Sequence, residues 1–219
     1  MKFQRITITF LLILAPFCVM AQKWYTSDVD EKVDNILRKM TVKEKLSYIG
    51  GIDWMYTRNI DRLGIPRMKM SDGPQGIGTH GQSTAYPATV LLAATWNEDL
   101  AYEYGKSLGR DCRARGINVL LGPAVNIYRA PMCGRNFEYM GEDPFLASRM
   151  VVPYIKGVQK NGVAACVKHY ALNNQETDRH YVDVEVGDRA LYEIYLPAFK
   201  AAVQEGKAWT IMGAYNSYK

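Results

Sequence analysis

Cysteine is scarce in this sequence and never closely spaced: Cys18, Cys112, Cys133 and Cys166 are the whole set, with no C-x-x-C pair. Neither a disulfide framework nor a zinc site is signalled, and the three cysteines that follow the N-terminal segment could form at most one bridge. Histidine is as rare, at His80, His169 and His180, and no H-E-x-x-H or similar spacing occurs, so no metal is implied. There is no Lys/Arg cluster interleaved with aromatics, the footprint a nucleic-acid backbone would require. No apolar run is long enough for a comfortable membrane span. Low-complexity tracts are missing too, and with 48% hydrophobic and 22% charged residues the chain has the makings of a packed core.

The longest apolar run lies at the start. Met1, Lys2 and Arg5 give a positive beginning, Ile6 to Val19 are almost all apolar, and Val19-Met20-Ala21 supplies small or aliphatic residues where a signal peptidase reads. This layout predicts a signal peptide over 1–21 with cleavage after Ala21, and hence a secreted or periplasmic protein with no membrane attachment after cleavage. Cys18 raises a lipoprotein reading, which the bulky Phe17 before it opposes. The formal charge is +5, or +3 once Lys2 and Arg5 are set aside, and the remaining charges are mixed in sign.

Residues 22–219 then read as strand-plus-helix units. Val29, Val33, Ile36, Leu37 and Met40 recur at helical spacing, and Thr41 to Glu44 forms a capping box opening a second short helix that stops at Gly50-Gly51. Strands are expected at Pro66 to Ser71, Ile117 to Ile127, Val163 to Tyr170 and Ala208 to Tyr215. Between them, Asn97, Asp143-Pro144 and Asp188 mark helix starts, the last helix closing at Gly206. Turns from helix to strand take one or two residues, at Gly116, Asn161-Gly162 and Gly206-Lys207. Each loop from strand to helix takes roughly fifteen to twenty-five, far beyond the usual two to six.

Long loops that all follow strands collect on the carboxyl face of a parallel sheet, where barrel enzymes build their sites. A (β/α)8 barrel needs eight units and about 250 residues. The fold class expected is therefore α/β, either a smaller open sheet or, as we favour, a partial (β/α)8 TIM-type barrel of about four βα units behind short lead-in helices.

The polar residues at the expected strand ends are Asp72, then Asn126 and Arg129, then Lys168 and His169, then Tyr215 and Asn216. The loops add Arg135, Glu138, Glu142 and Asp143, and Asn173, Asn174, Glu176 and Arg179. An Asp that accepts, with Lys, Arg and His that donate, suits a neutral ligand rich in hydroxyls. Each has a plainer reading: Asp72 before Gly73-Pro74 can be an Asx-turn residue, and Arg135 with Glu142 a surface pair. Lys168-His169 resists such a reading, because an apolar strand ends abruptly in two cationic-type residues and a buried lysine needs a partner. Gly76, Gly78 and Gly81 match G-x-G-x-x-G, but Gln82 to Pro87 cannot open a helix straight after it, so no pyrophosphate site follows.

Ser71-Asp72-Gly73-Pro74-Gln75-Gly76, Gly122-Pro123 through Asn126-Ile127, Gly134 through Tyr139, Gly141 through Pro144, Lys168-His169-Tyr170, Asn173 through Arg179 and Ala214-Tyr215-Asn216 together resemble the ordered motif series of family-three glycoside hydrolases. The resemblance spans nearly all of 22–219. It implies a β-glucosidase-like, retaining enzyme in which Asp72, Arg135, Lys168 and His169 hydrogen-bond the glycone and Tyr215 stands near the reacting carbon. Glu138, Glu142 and Arg179 would brace the loops. The branch acting on N-acetylglucosaminides carries a Gly-His pair soon after the Lys-His strand; here Ala171-Leu172-Asn173-Asn174 stands instead, which points to glucosidases or xylosidases. A β-glucoside or β-xyloside is the expected partner and no cofactor is expected.

In that family the nucleophilic Asp and the acid/base Glu lie further along than the Ala214-Tyr215-Asn216 motif, the Asp by some thirty residues, so both are expected beyond Lys219. The expectation is thus a first part of such a hydrolase, carrying the glycone pocket without the two catalytic carboxyl groups and inactive alone. A short carbohydrate-binding protein without chemistry, and an unrelated α/β enzyme using Asp72 and His169, stand as alternatives.

Overall fold

The computed structural model describes residues 27–218. The leader expected over 1–21, with Cys18, lies outside them, and so does Lys219. The chain divides into two compact units, 1–41 and 42–219. What is described of the first is one amphipathic helix, α1 (Ser27–Lys39), with Asp28 and Asp30 in its first turn and Arg38 and Lys39 in its last. Those charges complement the helix dipole at both ends.

The second unit opens with α2 (Val42–Ile49), followed by a small hairpin of β1 (Gly51–Ile52) and β2 (Tyr56–Thr57). Then come β3 (Met70–Asp72), α3 (Thr89–Ala94), α4 (Glu98–Ala114), β4 (Val119–Leu121), α5 (Pro144–Gln159) and β5 (Ala164–Tyr170). The chain continues through β6 (Asp183–Val184), α6 (Asp188–Ala190), α7 (Pro197–Gln204), β7 (Thr210–Gly213) and β8 (Ser217–Tyr218). The four main strands form one parallel sheet in the order β3-β4-β5-β7. Each strand adds beside the previous one, as in the opening of a barrel.

Alternation along the strands separates two faces. Leu120, Ala165 and Val167 point toward the helices and join one core with Leu108 of α4, Tyr154 and Val158 of α5 and Phe199 and Ala202 of α7. Val119, Ala164 and Cys166 point the other way and form a smaller cluster with Met70, Leu121 and Met212. On the helix side α4 and α5 meet backbone to backbone: a Cβ on Gly157 would lie 2.3 Å from the Tyr102 carbonyl oxygen, and one on Gly105 2.2 Å from that of Tyr154. Two tyrosines of this layer also hold the first long loop, Tyr154 donating to the Pro74 carbonyl (2.7 Å) and Tyr104 to that of Pro87 (2.8 Å).

The expected caps Asn97 and Asp143 both form, Asn97 accepting from the Leu100 N–H and Asp143 from those of Phe145 and Leu146. The turns at the amino end of the sheet take four or five residues rather than the one or two expected, because each strand starts later than its apolar run, and they pass through the left-handed Gly116, Gly162 and Lys207.

Several elements differ from the expectation. The first strand is confined to Met70–Asp72 rather than Pro66 to Ser71. The loop that follows hides a six-residue helix, α3, whose N-cap Ala88 supplies no side-chain bond and so leaves no signal in the sequence. The strand expected over Ile117 to Ile127 ends at Leu121, because Pro123 has no N–H for the ladder; a bridge from Ala124 to Lys168 resumes the pairing. The helix expected from Asp188 to Gly206 is capped by Gly187, not Asp188. It passes through a wider π turn at Leu191–Tyr195 and restarts at Pro197 as α7. The last strand is Thr210–Gly213 within the wider Ala208 to Tyr215 expected.

Candidate functional site

The carboxyl end of the sheet gathers the charged residues. Asp72 ends β3 and Lys168 stands near the end of β5, on the face that carries Ala164 and Cys166. Lys168 is 1% exposed. Its ammonium donates to Asp72 Oδ1 at 2.7 Å and lies 3.8 Å from Glu138 Oε2. A buried ammonium is tolerated only when paired in this way. The Asp72 side chain itself is half exposed. Its backbone carbonyl accepts from the Gly78 N–H (2.6 Å), which folds the glycine-rich loop back over the strand end. Gly73 makes that fold possible: its φ is +129°, and a Cβ there would lie 1.9 Å from the Gly76 carbonyl oxygen. Thus Asp72 lies in a Gly/Pro turn, yet its carboxylate serves Lys168 across the sheet. Gly76, Gly78 and Gly81 lead into no helix before α3 begins at Thr89.

Glu138, 4% exposed, connects this pair to the second and third loops. Arg135 Nε donates to Glu138 Oε1, and Arg135 Nη1 lies 3.9 Å from Glu176 Oε1. Arg179 donates to the other oxygen of Glu176 at 2.7 Å. Three carboxylates, Asp72, Glu138 and Glu176, therefore alternate with Lys168, Arg135 and Arg179. Burial works against the Arg135 charge, but the Glu138 carboxylate outweighs it and holds the pKa above the usual value.

His169 follows Lys168 and is also 1% exposed. Asn126, after β4, grips it from two sides. Asn126 Oδ1 accepts from the His169 backbone N–H (2.8 Å) and Asn126 Nδ2 donates to the His169 carbonyl (3.0 Å). Burial, with Arg135, Lys168 and Arg179 nearby, pushes the imidazole pKa down to about 2, so the ring is neutral at neutral pH. Tyr139 meets the His169 ring in a T-shaped contact and braces the next loop: its hydroxyl donates to the Asn173 carbonyl (3.2 Å) and accepts from Asn173 Nδ2 (3.1 Å).

Tyr215, half exposed after β7, meets the tilted ring of His180 at 4.5 Å between centroids and lies under the Arg179 guanidinium at 5.1 Å. Asn216 donates to the Ala171 carbonyl (3.1 Å).

The structure thus brings together Asp72, Arg135, Lys168, His169, Glu138 and Arg179, with Tyr215 reached through Arg179. It does not bring in Glu142, which stands on the lead-in to α5 and has no place in the cluster. Arg129 turns away to the Tyr195 hydroxyl at 3.0 Å. Arg135 takes Glu138 and Glu176 as partners where a surface pair with Glu142 was the plain alternative. The two catalytic carboxyl groups expected beyond Lys219 fall outside the described residues, which end at Tyr218. Glu176 and Asn126, which stand in the sequence only as polar residues of a loop and a strand end, take particular roles here: Glu176 joins Arg135 to Arg179, and Asn126 holds His169. The first had one readable signal, its i,i+3 spacing to Arg179; the second pairs residues 43 positions apart and had none.

A parallel α/β layer, with a cluster of alternating charges at the carboxyl ends of its strands, defines the class: a partial barrel with a polar cluster on the face where barrel enzymes build their sites. The pattern of the glycosyl hydrolase family 3 N-terminal domain matches residues 29–219, and the chain belongs to that family. It is 52% identical to beta-glucosidase BoGH3A of Bacteroides ovatus over all of this chain and 32% of that protein. It is 42% identical to thermostable beta-glucosidase B of Acetivibrio thermocellus over 84% of this chain and 26% of that one. Among solved structures, beta-glucosidase 3B of Thermotoga neapolitana in complex with alpha-D-glucose superposes with a TM-score of 0.81 at 42% identity, covering 85% of this chain and 30% of that one. The chain spans about a quarter to a third of the length of the curated relatives it matches.

Proposed function

We propose that this chain supplies the glycone-binding part of a retaining β-glucosidase-type hydrolase. The observation that carries the reading is the buried Lys168 paired with a half-exposed Asp72 at the sheet's carboxyl end, backed by Glu138 and Arg135. Such a pair offers a sugar both signs of hydrogen-bonding partner. Asp72 has lone pairs to accept from hydroxyls, and Lys168 has three donors, of which Asp72 takes one. Relatives named as β-glucosidases, and a neighbour solved with glucose, support the substrate class. A β-glucoside or β-xyloside is the substrate proposed.

Retention needs two carboxyl groups about 5 to 5.5 Å apart, one to attack the anomeric carbon and one to protonate the leaving oxygen. The carboxylates of this cluster are each matched to a cation, and the reading assigns neither catalytic role to them. Both roles are proposed to fall to carboxyl groups outside this cluster. The apolar N-terminal segment is proposed to direct export, with cleavage after Ala21.

The test is hydrolysis of nitrophenyl β-glucoside and β-xyloside by the 22–219 protein, beside a chimera in which 29–219 replaces the matching segment of the Bacteroides ovatus enzyme. Turnover by the chimera alone, lost in its Asp72→Asn and Lys168→Met forms, is the expected result. Turnover by the short protein that disappears in Asp72→Asn would make Asp72 the nucleophile and overturn the reading. Sugar binding without turnover in either protein would favour a binding protein instead.

A further inference from the structure

We propose that Asn126 is a positioning residue that fixes His169 as a hydrogen-bond acceptor, so that the glycone must present a hydroxyl that donates to Nε2. The proposal rests on the glycone-binding reading above and adds the direction of one of its hydrogen bonds.

The orientation of an asparagine amide is ordinarily an assignment, since its oxygen and nitrogen look alike. Here the backbone decides it. The His169 N–H can only donate, so the amide atom 2.8 Å away must be Oδ1; the His169 carbonyl can only accept, so the atom 3.0 Å away must be Nδ2. Exchanging the two would set donor against donor and acceptor against acceptor, with Asn126 2% exposed and so shut off from solvent.

With the amide fixed, the imidazole follows. Asn126 Oδ1 also lies 3.3 Å from His169 Nδ1. An oxygen that only accepts requires the proton of a neutral ring to be on Nδ1, which leaves the lone pair on Nε2. The charges nearby agree: Arg135, Lys168 and Arg179 all act on this ring, and three cations favour a lone pair over a second N–H. Nε2 is buried and has no partner among the described residues. It is the one nitrogen of the ring still able to meet a ligand. Asp72 and His169 then both accept from the sugar, while Lys168 and Arg135 donate. A donating histidine, as the sequence alone suggested, is replaced by an accepting one.

Selective 15N labelling of the three histidines in the 219-residue chain reads the tautomer directly by NMR. The expected spectrum for His169 is a neutral ring with a protonated Nδ1 and a bare Nε2 throughout pH 5 to 8. Asn126→Ala is expected to mix the tautomers while leaving His80 and His180 unchanged. Because that variant can lose its fold, the unsubstituted protein carries the decision: an Nε2–H tautomer, or a ring protonated at neutral pH, overturns the proposal.

The ligand half is tested with glucose and its monodeoxy and monodeoxyfluoro analogues, as inhibitors of the chimera described above. Fluorine accepts weakly and cannot donate. At the carbon that faces Nε2 the fluoro analogue is expected to bind no better than the deoxy analogue, each at least tenfold weaker than glucose. A fluoro analogue close to glucose at every position would overturn the acceptor role. A confirmed Nδ1–H tautomer with no binding of glucose would instead overturn the glycone-binding reading itself.

Discussion

The two ends of the parallel sheet are built by different means, left-handed turns at one and buried charge pairs at the other. At the amino end, the reversals from helix to strand take four or five residues, 115–118, 160–163 and 205–209, and each turns through one left-handed residue, Gly116, Gly162 or Lys207. At the carboxyl end, side chains are held by partners far along the sequence: Lys168 by Asp72, 96 positions away, and His169 by Asn126, 43 positions away. The amino end therefore combines local left-handed turns with side-chain bonds to backbone: Asn118 accepts from the Lys69 N–H, and Gln159 donates to the Lys207 carbonyl and accepts from the Trp209 N–H. The carboxyl end depends on the whole sheet being in register, and a fault there is felt by several loops at once.

That contrast can be tested in order of expected effect. Lys168→Met removes the cation between Asp72 and Glu138 and leaves Glu138 buried with Arg135 alone. A loss of about 3 kcal/mol in urea unfolding is expected, with a smaller additional loss when Asp72→Asn is combined with it.

His169 supplies a pH test. Its folded pKa is depressed below that of the unfolded chain, so between about 2 and 6.5 the unfolded state binds more protons and stability falls as pH falls. Lowering the pH from about 6.5 to 5 should cost up to about 2 kcal/mol. No loss from this residue is expected above about pH 7, and the His169→Gln variant should lack its share of the acid slope.

At the other end, Gly116→Ala places a side chain where φ is +67° and no atom lies within 4 Å. Its cost should be the backbone term alone, about 1 kcal/mol. If it equalled that of Lys168→Met, the distinction between the two ends would fail. Glu142→Gln, outside the charge cluster, should change stability by less than about 0.5 kcal/mol and leave chimera turnover unaltered.

Much of this architecture could be read from the residues. Strand and helix order, the caps Asn97 and Asp143-Pro144, and the unequal loop lengths follow from patterns contained within a few positions. Asp72, Lys168 and His169 stood out by residue type at strand ends and Arg135 by its loop motif, and the structure brings the four close together. Helix α3 was not readable, because it lies in a glycine- and proline-rich stretch without a capping side chain. Nor was the partner of each charge: Glu138, Glu142 and Glu176 look alike in sequence, and only the fold separates the two that are built into the cluster from the one left outside it. The direction of the His169 hydrogen bond depends on an amide 43 residues away and is visible only in three dimensions.

The six alternating side chains from Asp72 to Arg179 sum to no net charge, and each cation stands beside a carboxylate. Close in, the cations still bear on His169, but beyond the roughly 8 Å over which physiological salt screens charge the opposed fields largely cancel. Such a site has no long-range pull on ions and little for dissolved salt to weaken. It can remain a strong hydrogen-bonding surface for an uncharged sugar across a wide range of ionic strength, a useful property in a domain proposed to work outside the buffered interior of a cell.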